Sequence, residues 1–180
     1  DVRINPLRSG SASLPEGGEE IGVAGAMRYP HGTRIEESEA FQSGAIEVQD
    51  AASQLVCHAL APQPGESVID LCAGAGGKTL AIAAAMEGTG KLIACDTDRS
   101  RLSRLGPRAQ RAGADAIIET RLLDPGRELE ELADWQGKAD VVLVDAPCSG
   151  TGTWRPNPEN RWRLTPRELD RLVAFEVCLP

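Results

Sequence analysis

The chain has 180 residues, with 19 Lys and Arg against 27 Asp and Glu, and a formal net charge of −8. That balance argues against nucleic-acid binding through bulk charge, though it leaves room for a local basic patch. The length favours one domain, or one domain plus a piece of another, and no apolar run is long enough to span a bilayer or act as a secretory leader.

Residues 1–44 differ from the rest. Asp1 to Asn5 alternates like a strand, a Gly/Ser/Pro/Glu-rich stretch comes next, and short extended pieces are expected around Ile21–Val23 and Ala26–Tyr29. This segment reads either as the end of a small α+β subdomain or a hairpin entering the main domain, or as a partly disordered leader. Residues 45–180 read as the main domain. Gln49 to Leu60 has helical spacing, with Ala52, Leu55, Val56 and Leu60 on the expected apolar face, and Pro62 and Pro64 end it.

The main domain is organised around Val68-Ile69-Asp70-Leu71-Cys72-Ala73-Gly74-Ala75-Gly76-Gly77-Lys78-Thr79. A short apolar strand (Ser67–Cys72) breaks into a glycine-rich bend and then an alanine-rich helix, Lys78–Met86. Glycines let backbone come close to a ligand, and a helix after the bend aims free N–H groups at it. A P-loop needs glycine where Cys72 stands, and a dinucleotide fingerprint needs one where Thr79 stands, so neither pattern is met. Asp70 at the first strand end and Asp96 at the next, in Lys91-Leu-Ile-Ala-Cys-Asp, suit S-adenosylmethionine, with Asp96 accepting from the ribose hydroxyls.

Arg99 to Ala112 predicts an exposed helix kinked at Gly106-Pro107, Ala116–Thr120 a third strand, and Glu128–Trp135 a short acidic helix. Asp140 to Asp145 predicts a buried parallel strand. Strands alternating with helices at this spacing give an α/β doubly wound sheet, whose ligands bind at the carboxyl ends of the strands. Asp70, Asp96, Asp124 and Asp145 all fall at or near such ends. The last strand runs into Asp145-Ala-Pro-Cys-Ser-Gly-Thr-Gly152, an active-site loop by position. The five cysteines (Cys57, Cys72, Cys95, Cys148, Cys178) show neither metal spacing nor a paired framework, so no metal is expected and they read as reduced thiols of a cytoplasmic protein. Thr153 to Arg163 is rich in Arg and Trp, suited either to RNA contacts or to packing on the domain. Thr165-Pro-Arg-Glu168 signals a helix start.

With these motifs in hand, the sequence resembles the RNA cytosine-5 methyltransferase family, close to the bacterial Sun-type enzymes that modify 16S ribosomal RNA. The resemblance rests on Phe41-Gln-Ser-Gly-Ala-Ile-Glu-Val-Gln-Asp50, Asp70 to Thr79, Asp145 to Gly152, and Arg161-Trp162, with Ala75 where the family often has proline. It implies a Rossmann-like S-adenosylmethionine-dependent methyltransferase sheet, incomplete here, preceded by the end of an RNA-binding subdomain. It further implies that Cys72, Ala73, Gly74, Ala75, Gly76, Gly77 and Lys78 cradle S-adenosylmethionine, that Asp96 holds the ribose, that Asp124 lies near the adenine, and that Asp145 lies near the methionine end and the target base. The expected partner is RNA, ribosomal RNA above all, and no membrane.

The implied chemistry explains these residue types. A thiolate adds to carbon 6 of cytosine, and the resulting enamine attacks the sulfonium methyl. Asp145, if protonated, helps at N3; Lys78, if paired with it, favours its charged form instead. In the RNA family the nucleophile lies in a later Thr-Cys motif and the Pro-Cys cysteine assists product release. Cys148 is therefore expected to be the release residue. No Thr precedes Cys178, so the nucleophile is expected outside these 180 residues and the 180-residue chain alone is expected to be inactive. The competing readings are a cofactor- or RNA-binding relative without the chemistry, and an amino-group methyltransferase, whose Asn/Asp-Pro-Pro-aromatic loop Asp145-Ala-Pro-Cys148 does not provide.

Overall fold

A computed structural model describes residues 1–10, 12–148, 150, 159, 162 and 164–177. Two four-stranded sheets organise them. The first is antiparallel, in the order β2-β3-β1-β4, from Val2–Ile4 (β1), Glu19–Glu20 (β2), Ala26–Arg28 (β3) and Ile46–Val48 (β4). Its second strand comes earlier than the expected Ile21–Val23 piece, and its last lies past residue 44. A short helix, Glu39–Gln42 (α1), is capped by Ser38, whose hydroxyl accepts from the Phe41 N–H. Val2, Ala40, Ala45 and Ile46 form the small core beneath.

The second sheet is parallel throughout: Ser67–Asp70 (β5), Lys91–Asp96 (β6), Ile118–Leu122 (β7) and Val141–Leu143 (β8), in the order β7-β6-β5-β8. The chain steps outward from β5 to β7 and then returns to the other side of β5. That reversal is the topological switch point where α/β sheets open a crevice. Alternate residues face opposite layers. Val68, Leu92 and Ala94 meet Leu80 and Ile82 of Gly77–Ala85 (α3), while Ile69, Ile93 and Cys95 meet Leu132 and Trp135. Covering both faces is what a parallel sheet requires.

Three expected details differ. In Ala51–Leu60 (α2) the buried residues are Gln54 and Cys57, whereas Leu55 and Val56 are exposed. The amide of Gln54 donates to the carbonyls of Val2 and Gln49, so a polar contact to the small sheet, not the apolar stripe, faces inward. The kinked helix is two helices, Arg99–Leu102 (α4) and Leu105–Ala112 (α5), with the break before Gly106-Pro107. Pro107 then lies in a first turn, where its missing N–H has no intrahelical partner to lose. Nor is this segment wholly exposed: Leu102, Leu105, Ala109 and Ala112 are buried. Finally, β8 pairs only with β5 among the described residues, and Val142 and Val144 are half exposed.

The two sheets are joined through α5. Glu47 of β4, 2% exposed, accepts from Arg108 at 3.0 Å and Arg111 at 2.6 Å. Asn5 donates to the carbonyls of Gly44 and Ala112, and the Arg111 guanidinium lies 4.0 Å from the centre of the Phe41 ring. Gly44 has φ +80°, and a Cβ there would stand 2.0 Å from the Arg111 carbonyl oxygen. Because backbone meets backbone at this point, Gly44→Ala should destabilise the intact protein by about 2–4 kcal/mol. The urea midpoint measures it, and an unchanged midpoint would show that this junction tolerates a side chain.

Candidate functional site

The bend after β5 is fixed from three sides. The Asp96 carboxylate, 8% exposed at the end of β6, accepts from the backbone N–H of Gly74 and of Asp98, each at 2.7 Å. The Ala73 N–H donates to the Cys95 carbonyl, and the Gly76 N–H donates back to Ala73. Gly76 has φ +87°, and a Cβ there would lie 2.1 Å from a Leu105 methyl of α5. Only glycine admits both that backbone angle and that approach. The Ala75 carbonyl accepts from Arg108 at 2.6 Å.

This bend is one wall of a cavity of about 870 Å³ at the carboxyl ends of β5, β6 and β8, a size at the upper end of small-molecule pockets. Cys72, Ala73, Ala75, Gly77, Lys78 and Asp96 line that wall. Asp145 and Cys148 form the facing wall. Lys78 in the first turn of α3 donates to Asp145 at 2.5 Å, and Cys148 is exposed three residues on. Lys78 and Asp145 thus face each other within ion-pair distance. Gly74 and Gly76 shape the bend without lining the cavity; they turn toward Arg101 and Leu105.

Two of the four aspartates stand elsewhere. Asp70 is 1% exposed beneath the bend, where the Thr79 hydroxyl donates to one of its oxygens at 2.6 Å. Its other oxygen is buried without a partner among the described residues. Asp124, two residues past β7, is exposed and faces Arg127 at 3.7 Å; the neighbouring Leu123 reaches the cavity instead.

Three walls went unassigned in the sequence. Gln49, Asp50 and Ser53, where α2 begins, line the cavity, as do Asp98 and Arg101 beyond β6 and Arg171 on the last helix, Pro166–Val177. Gln49 and Asp50 close the Phe41-to-Asp50 motif, and Asp98 stands in Cys95-Asp-Thr-Asp98. Arg171 carries no local signal. Trp162 is 85% exposed; Glu159 is also described, and the rest of Thr153–Arg163, like Cys178, lies outside the described residues. Among the described residues, no cluster of His, Cys, Asp or Glu could hold a metal, and no helix is long and apolar enough to cross a membrane.

A parallel sheet with a glycine-rich bend after its first strand, an acid closing the second, and a cavity at the switch point defines a Rossmann-like methyltransferase fold. The model of the 16S rRNA methyltransferase RsmB/F family matches residues 57–177, and the chain belongs to that family, whose cofactor is S-adenosylmethionine. A probable ribosomal RNA small subunit methyltransferase B of Synechocystis is 36% identical over 99% of this chain and 42% of its own length. The solved structure of PH0851 superposes with a TM-score of 0.80 at 33% identity, over 95% of this chain and 40% of that one. NSun6 from Pyrococcus horikoshii, solved with SFG, gives 0.69 at 28% identity, over 80% and 35%. The chain thus spans about two fifths of the length of the curated relatives it matches.

Burial sorts the thiols. It pushes Cys57 up to about 11 and Cys95 up to about 12; Cys72 also rises to about 11, from burial first and then from Asp96, Asp70 and Asp145. Cys148 is the one exposed cysteine among the described residues. At pH 8 a maleimide should therefore label Cys148 well before Cys57, Cys72 or Cys95, as read by peptide mass spectrometry. Equal labelling of Cys72 would contradict this burial.

Burial also raises Asp70 to about 6, against the opposing pull of the Thr79 hydrogen bond and Lys78. A carboxyl with a raised folded-state pKa binds more protons folded than unfolded. Its contribution therefore turns unfavourable as pH climbs from about 4 to about 6, and stays so above. Asp70→Asn removes that ionisation. Its stability relative to the unsubstituted protein should improve between pH 4.5 and pH 7.5 by roughly 1–3 kcal/mol. Parallel urea titrations at the two pH values read the change, and a difference that stays flat would mean Asp70 is ionised at both.

Proposed function

We propose that this chain carries the cofactor half of an enzyme that transfers a methyl group from S-adenosylmethionine to carbon 5 of a cytosine in ribosomal RNA, in the cytoplasm. The observation that supports this reading best is the Lys78–Asp145 ion pair beside exposed Cys148, across one cavity from the glycine bend. The family membership and the names of the relatives point the same way.

In this reading residues Cys72 to Lys78 and Asp96 seat the cofactor, whose sulfonium supplies the methyl group. Asp96 already receives two backbone N–H groups, and its carboxylate retains acceptor capacity for ribose hydroxyls. Leu123, which lines the cavity, packs on the adenine end, while Asp124 beside it is turned to Arg127. Paired with Lys78, Asp145 accepts from the cytosine 4-amino group, which favours cytosine over uracil, whose carbon 4 carries an acceptor instead. The attacking thiolate comes from a later Thr-Cys motif, adds to carbon 6, and makes carbon 5 nucleophilic. After transfer a base removes the carbon-5 proton, the bond to carbon 6 breaks, and Cys148 assists that release. Residues 1–44 with β4 form the end of an RNA-binding subdomain. Their charge runs acidic, so shape and hydrogen bonding, rather than a phosphate-binding field, would carry RNA contacts there.

Cys148→Ala in the intact protein tests the assignment. The variant should accumulate a covalent protein–RNA adduct, visible as a band resistant to denaturing electrophoresis, while multiple turnover falls by at least about a hundredfold. Complete loss of both adduct and activity would instead make Cys148 the attacking thiol.

A further inference from the structure

The bend has a support that lies outside the methyltransferase sheet. Glu47 is the middle residue of β4 and is 2% exposed, so its carboxylate has no solvent to turn to. One oxygen takes Arg108 at 3.0 Å and the other takes Arg111 at 2.6 Å. Arg108 spends its second terminal nitrogen on the Ala75 carbonyl, 2.6 Å away. A guanidinium is planar, with its N–H directions fixed, so anchoring one edge on Glu47 sets where the other edge points.

Ala75 is the residue most in need of such a hold. It stands between Gly74 (φ +56°) and Gly76 (φ +87°), and it lines the cavity. The peptide joining Ala75 to Gly76 is held at one end by the Gly76 N–H to Ala73 and at the other by Arg108. Without Arg108 the carbonyl end is free to rotate, and with it the approach to Gly77 and Lys78, where α3 presents its unpaired N–H groups. Arg111 shares Glu47 but is not bonded to the bend; its guanidinium lies over Phe41.

We propose that Glu47 and Arg108 are positioning residues for the cofactor: the small antiparallel sheet, through this relay, sets the pose of the bend that receives S-adenosylmethionine. The proposal rests on the reading of that bend as the cofactor seat. It makes cofactor affinity a property of both sheets, although no residue of the small sheet's relay touches the cavity.

Calorimetric titration of S-adenosylhomocysteine into the intact protein tests it, with Glu47→Gln, Arg108→Met and Arg111→Met. Arg108→Met and Glu47→Gln should each weaken binding roughly five- to tenfold, within the usual range of coupling between sites. The KM for S-adenosylmethionine should rise by the same factor, with kcat at saturating cofactor and the KM for RNA unchanged. Arg111→Met should leave both affinities within about twofold while lowering the melting temperature, since it removes packing and charge but no contact to the bend. If burying an amide at position 47 prevents folding, Arg108→Met decides alone, because its side chain is a quarter exposed. Unchanged affinity in Arg108→Met, or an equal loss in Arg111→Met, would reduce the relay to a structural clamp. No binding by the unsubstituted protein would instead sink the cofactor reading itself.

Discussion

The approach of α5 to the glycine bend is the constraint on which the rest of the site depends. Leu105 fills the space where a side chain at Gly76 would be, and Arg108 takes the carbonyl of Ala75. Asp96 closes the third side by accepting from Gly74. A loop made of glycine and alanine has little of its own to hold a shape, because its backbone entropy is high and its side chains are short. Here its geometry is borrowed from the packed face of α5 and from a strand-end carboxylate. Holding a loop in this way lowers the ordering cost of binding.

The same helix carries the small sheet. Glu47, Asn5, Gly44 and Phe41 all act on α5 or its end, and Gln54 ties α2 to β1 and to the backbone at Gln49. A buried carboxylate shared by two arginines gives weak net stability, since desolvation offsets much of the attraction, but it is costly to leave half-made. Its worth here is geometric. The two sheets meet through oriented polar bonds at defined atoms, where apolar packing alone would allow them to slide.

Across the cavity, Lys78 and Asp145 close the distance between α3 and the loop after β8. The pair joins the two sides of the switch point, β5 and β8, whose strands are hydrogen-bonded neighbours. Lys78 thus ties the bend side of the cavity to the loop that carries Cys148. Asp70 lies just beneath, buried and hydrogen-bonded to Thr79, and supports the floor without entering the cavity.

The sequence alone determined the order of strands and helices in the main domain, the glycine bend, Asp96 at its strand end, and the Asp145-to-Cys148 loop. These are local features: apolar runs of strand length, turn residues and strand-end acids are written in consecutive residues. The family resemblance rested on the same stretches. Only the tertiary structure decided that Leu55 and Val56 face outward while Gln54 is buried, because an apolar stripe does not say what stands opposite it. Only it decided that Val142 and Val144 remain half exposed, that Asp124 turns to Arg127 while Leu123 reaches the cavity, and that Asp70 stays below. Glu47 stood in the Phe41-to-Asp50 motif with no role of its own, and its pairing depends on two arginines 61 and 64 residues away. Periodicity reports which face of an element is apolar; what an element is packed against, and which carboxylate is thereby taken out of water, is settled by contacts between residues far apart in the chain.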